Sequence, residues 1–193
     1  IPEDLPPVAS TASVPATQPV DAPGLSPYIT PVRDFYRIDV SPSAPYVVTD
    51  EWTVRVTGMV DREVELSYRD ILTRDLVEEV VTLSCVSNEV GDDLVGNAVW
   101  TGIPLRTLLA EAGVHDGAEQ IVGVGLDGFT AGFPTGVLDD PDRPALVAVG
   151  MNRAPLPRAH GFPARLVVSG LYGYVSATKW LDQIRLTTWD DED

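Results

Sequence analysis

The sequence predicts an α+β domain that is mostly β. Short runs of alternating or β-branched apolar residues recur along the chain, and helical periodicity is confined to two brief segments. Strands and helices also fail to alternate in the regular way that βαβ units require. With 193 residues, the chain is long enough for one sizeable core.

Seven prolines fall within the first 27 residues, among alanine, serine and threonine. That composition cannot build a core, so residues 1–26 read as a linker or arm, with an ordered strap over the domain as the alternative. The folded domain is expected at 27–189 and a solvated acidic tail at 190–193. Trp52, Val54, Val56 and Gly58 alternate with polar residues in a half-buried strand, and Val64-Glu65-Leu66 resumes as its hairpin partner. Ser67 and Asp70 form a capping pattern for a short helix ending near Arg74. Val80 to Ser84 is β-rich and delivers Cys85 to a strand end, while residues 87–99 read as a polar loop. Pro104 suits a first helical turn, Leu105, Leu108, Leu109 and Ala112 form its apolar stripe, and Gly113 ends it. Further strands are expected at Gln120–Leu126, Ala145–Val149, Ala164–Ser169 and Trp180–Leu186.

The net charge of −16 repels nucleic acid and anionic membrane surfaces, so a nucleic-acid partner is not expected. No run approaches the ~20 apolar residues of a spanning helix. One cysteine excludes an internal disulfide.

Three side chains stand out. Cys85, the one cysteine, lies in Val81-Thr-Leu-Ser-Cys-Val-Ser-Asn88. Arg165 follows Gly161-Phe162-Pro163 and opens an apolar strand, and Lys179, the one lysine, precedes Trp180. A soft thiolate, a guanidinium fork and a compact ammonium group together suggest a site for an anionic metal cofactor. Taken singly, each has a plainer reading: Cys85 as a small buried hydrophobe, Arg165 in a salt bridge, Lys179 on a solvated strand.

Taken together, the Cys85 block continuing to Trp100-x-Gly102-x-Pro104-Leu105, the His160–Lys179 block and Phe35-Tyr36-Arg37 resemble the molybdopterin-binding domain of the sulfite oxidase family, over about Pro31 to Leu186. The resemblance is closest to bacterial members whose catalytic domain follows a membrane-embedded portion. It implies mixed sheets with short helices and a molybdenum-molybdopterin cofactor, its metal held by one pyranopterin dithiolene and by Cys85 as catalytic ligand. It also implies cofactor contacts from Tyr36, Arg37, Asn88, His160 and Arg165, and from the turn Ser176, Ala177, Thr178 and Lys179, where this chain carries one extra residue.

Departures bear on substrate. Val90 stands where sulfite oxidases carry an arginine, and Phe129 where they place a tyrosine. A hydrated anion would lack the polar contacts that offset its desolvation, so sulfite oxidation is disfavoured. Gly125, Arg153 and Ser169 also differ from common family residues. The expectation is oxygen-atom transfer on a small-molecule substrate, with electrons from a partner protein or domain, possibly membrane-bound. Placement outside the cytoplasm on a membrane tether is expected too. The alternatives are a non-catalytic binding module that keeps the fold and, more weakly, a redox-sensing thiol protein, which would lack a second cysteine to resolve it.

Overall fold

The computed structural model describes residue 2, residues 4–17, residue 20 and residues 22–191. Ile1, Glu3, Gln18, Pro19 and Asp21 of the expected arm, and Glu192 and Asp193 of the expected tail, lie outside the described residues.

Two five-stranded sheets face each other. The first runs β2 (Val64–Ser67), β1 (Thr53–Gly58), β10 (Leu181–Thr187), β5 (Gln120–Gly125) and β6 (Thr130–Pro134). The second runs β3 (Val77–Ser84), β4 (Val95–Pro104), β7 (Ala145–Met151) and the two-residue β8 (Ala154–Pro155), with β9 (Arg165–Val168) also paired to β7. All pairings are antiparallel except β1 with β10. The first sheet is therefore mixed, as expected, and the second is antiparallel.

Local chemistry accounts for most elements. The hairpin register sets Val54 against Leu66 and Val56 against Val64. At α1 (Tyr68–Leu72) the Ser67 side chain accepts from the Asp70 amide and the Asp70 carboxylate accepts from the Ser67 amide, a complete capping box. The helix stops at Leu72, two residues short of the expected Arg74. In α2 (Leu105–Ala112) Leu105, Leu108, Leu109 and Ala112 are the buried face, and Gly113 closes the helix at φ 72°.

One expectation needs correction. Residues 95–99 are strand, since β4 starts at Val95 and pairs with β3 through Ser84–Val95. A further edge strand, β6 at Thr130–Pro134, is one the sequence pattern did not suggest. The proline-rich segment meanwhile lies on the domain between Leu5 and Ala12. Leu5 and Val8 pack on the core, the Ala9 amide donates to the Leu76 carbonyl, and Ser10 bridges Val77 in parallel. Arg153, at φ 66°, pairs with Glu78 and donates to the Ala12 carbonyl.

The second sheet is apolar on both faces, and all of β7 is buried. One face packs α2, Val147, Leu166 and Val168 against the first sheet. The other carries Phe35, Leu83, Trp100, Leu146, Val167 and Ala177, and the candidate site opens on that face. No helix among the described residues is long and apolar enough to cross a membrane.

At Gly102, where β4 shifts register against β7, an added Cβ would sit 2.2 Å from the Val147 carbonyl oxygen. Gly102→Ala is therefore expected to cost about 1–3 kcal/mol through forced separation of two central strands. Urea unfolding of the two chains measures the difference.

Candidate functional site

Cys85 emerges where β3 ends. Its amide donates to the Leu94 carbonyl at 2.9 Å, its carbonyl accepts from the Asn88 amide at 3.1 Å, and its Sγ lies 3.1 Å from Ser87 Oγ. This turn sets the sulfur, buried at 9% exposure, on the wall of a cleft of about 780 Å³ including its solvent-open mouth.

Six predicted site residues line the cleft: Tyr36, Cys85, His160, Arg165, Ala177 and Lys179. Four do not. The Arg37 side chain is tied to Asp39 at 2.7 Å, just outside. Asn88 closes the cysteine turn, and its buried Oδ1 has no partner. Ser176 Oγ is spent donating to the Tyr172 carbonyl at 3.0 Å, inside α3 (Gly173–Ser176). Thr178 is buried against Gly123, its Oγ1 also unpartnered. Sequence reasoning did not single out Asp39, Asp127 or Tyr174 as lining residues. Phe129 lines the cleft and meets Tyr174 edge-on at 5.7 Å, whereas Val90 is fully exposed in the loop beyond Cys85.

Arg165 dominates the electrostatics. It is 5% exposed, and its guanidinium donates to the carbonyls of His160 at 3.0 Å, Ala177 at 3.1 Å and Leu166 at 3.4 Å. It lies 4.9 Å from the ring centre of the buried Trp100. Among the described residues no carboxylate pairs with it, so the plain salt-bridge reading fails. Burial pushes its pKa down to about 10, which still leaves it charged at neutral pH. A buried, uncompensated cation on a cleft wall calls for an anion.

Burial, then the Arg165 charge, push His160 down to about 4. The neutral ring sits 3.3 Å from the Val32 carbonyl through Nε2, which must carry the proton because a carbonyl only accepts. Burial raises the Tyr36 phenol, and the Arg165 charge partly offsets this. Lys179 lines the cleft with its ammonium already engaged. Its ammonium is bonded to the Asp39 carboxylate and to the Ile38 carbonyl at 3.0 Å. Burial and the Arg37 charge push it down to about 8. Backbone geometry serves the same cluster. Gly161 adopts φ 110°, and an added Cβ there would sit about 3 Å from both the Lys179 and Arg165 side chains. At Gly125, a Cβ would lie 2.8 Å from the Lys179 carbonyl oxygen, so the backbone there packs too closely for a side chain.

The residues 41–193 match the family model described as oxidoreductase molybdopterin binding domain. This chain belongs to that family. It is 29% identical over 191 residues to an NADH nitrate reductase of Petunia hybrida, covering 86% of this chain and 21% of that protein. An inducible NADH nitrate reductase of Glycine max is 31% identical, with coverage of 83% and 21%. The sulfite oxidase of Arabidopsis thaliana is 29% identical, with coverage of 84% and 48%. Among solved structures, the sulfane dehydrogenase SoxCD of Paracoccus pantotrophus superposes with a TM-score of 0.67 at 25% identity, covering 75% of this chain and 40% of that one. The chain thus spans about a fifth of the nitrate reductases and less than half of the sulfite oxidase.

The cleft of this molybdopterin-binding domain fits the group on its own evidence. Among the described residues no three His, Cys, Asp or Glu side chains gather as a ligand set. A metal held by Cys85 must therefore bring its other donors with it, as a dithiolene does. Arg165 supplies a preformed, buried positive charge on the cleft wall.

His160 generates a pH prediction. Its folded pKa lies below the ordinary 6.5, so the unfolded chain binds the extra proton between about pH 4 and 6.5. Stability should be fully present above pH 6.5 and fall as pH drops toward 4, by on the order of 3 kcal/mol from this group. Urea midpoints of wild type and His160→Gln across that range should converge as pH falls.

Proposed function

We propose that this domain carries out oxygen-atom transfer on a neutral oxide of sulfur or nitrogen, and that it is not a sulfite oxidase. The observation that carries the reading is the commitment of every cation lining the cleft. Arg165 donates to three carbonyls, and Lys179 is bonded to Asp39 and to the Ile38 carbonyl. Arg165 is the one left without a carboxylate, and the cofactor's own anionic groups would claim it. An oxyanion substrate would then meet Asp39 and Asp127 with no spare charge to offset its desolvation. The outer wall is instead apolar, formed by Ile38, Val40, Phe129 and Tyr174. It suits a substrate carrying an alkyl or aryl group.

Molybdenum-molybdopterin, when bound, supplies a metal that changes oxidation state by two as an oxygen atom moves. The chain supplies the rest. Cys85 would anchor the metal through a thiolate, while Arg165 would hold an anionic group of the cofactor. The phenol of Tyr36 stays protonated at neutral pH, so its Oη can donate a hydrogen bond to an oxygen in the cleft. Removing that oxygen as water takes two electrons and two protons, the electrons entering from a separate partner protein or domain. The proline-rich arm is the support for placing the domain outside the cytoplasm on a membrane tether, and reporter fusions to the natural gene product test that placement.

Protein from a molybdopterin-competent host should carry about one molybdenum per chain, and Cys85→Ser should abolish metal retention while leaving the fold intact. Steady-state assays with a reduced dye should show turnover of alkyl or aryl sulfoxides or amine N-oxides. Robust sulfite oxidation with an artificial acceptor would overturn the substrate assignment.

A further inference from the structure

Asp39 uses both carboxylate oxygens. Oδ2 accepts from Arg37 Nη2 at 2.7 Å, and Oδ1 accepts from Lys179 Nζ, which also donates to the Ile38 carbonyl at 3.0 Å. The Asp39 and Lys179 side chains are only 11% and 13% exposed, so this pair is largely shielded from water and salt. It joins two distant segments: the irregular loop after Tyr36, and the turn that carries Lys179 into β10. Next to it Ile38 and Val40 line the cleft, yet they are 55% and 66% exposed. Apolar burial alone therefore does little to hold this stretch down. Its far end has a second tether, where Arg158 donates to the carbonyls of Ala44 and Pro45 and sits over the Tyr46 ring. Between the two tethers, residues 40–43 make no bond to the body among the described hydrogen bonds. Asp39 also lies ahead of the family match, which begins at residue 41.

We propose that Asp39 is a positioning residue: through Lys179 it latches the 37–43 loop across the cleft and so slows release of bound molybdopterin. The retention part rests on the function proposed above; the latch itself rests on geometry alone. Amide hydrogen exchange of the full chain should rise roughly fivefold or more over 36–43 in Asp39→Asn, with β3 and β9 unchanged. Asp39→Glu should restore protection, and Lys179→Met should reproduce the Asp39→Asn pattern, with no further increase in the double variant. In loaded protein, molybdenum and pterin should leave Asp39→Asn roughly fivefold faster during repeated buffer exchange, again with rescue by Asp39→Glu. Unchanged exchange over 36–43 overturns the latch. Raised exchange with unchanged release overturns its link to the cofactor. A general rise in exchange with a lowered unfolding midpoint would make Asp39 a merely structural residue and also sinks the proposal. If wild-type protein carries no molybdopterin, the proposed function fails, and the exchange measurement still decides the latch.

Discussion

A charged guanidinium buried without a counter-ion organises this domain. Arg165 opens β9 deep in the second sheet and draws in three carbonyls, from the His160 turn, from its own strand and from Ala177. Those three segments reach the cleft wall because one side chain gathers them. Carbonyl dipoles and the Trp100 face soften the cost of burying the charge, but they cancel no charge. Burial depresses His160, and the Arg165 charge adds to it, since a second cation there would be unfavourable.

The sheets explain why the cluster can be held firmly. A strand apolar on one face would leave Arg165 and Cys85 near water, whereas β7 is buried throughout and separates two apolar layers. Trp100 then serves both as packing and as the surface on which the guanidinium rests. Trp180 contributes differently. At φ 49° it adopts a backbone conformation costing about 1 kcal/mol or more for a non-glycine residue, held by its indole bond to the Arg158 carbonyl at 2.8 Å. That bend lets residues two apart serve opposite purposes, with Lys179 at the cleft and Leu181 in the core.

Much of this was legible in the sequence where local chemistry decides. The Ser67–Asp70 cap, the α2 stripe with its terminal glycine and the Cys85 strand end needed no tertiary information. The start of β4 was not legible, because its strand character is imposed from outside. Gly96 sits beneath the Phe35 ring, and Asn97 is bonded by Tyr28 and Thr30 from far along the chain. Cys85, Tyr36, His160 and Arg165 stood in motifs dense enough to read together. Asp39 carried no such signal, because its importance comes from a loop folding back on a residue 140 positions later. The Ser176 hydroxyl gave no sign of its own partner, because it is consumed within its own turn.

The strap formed by Leu5–Ala12 closes an otherwise open flank. β3 is the outermost strand of its sheet, and the Ser10 bridge to Val77 and the Ala12 amide bond to Glu78 cover part of its free edge. Such an edge is a template for another chain's strand. Clipping those few residues would therefore offer neighbouring molecules a place to zip together.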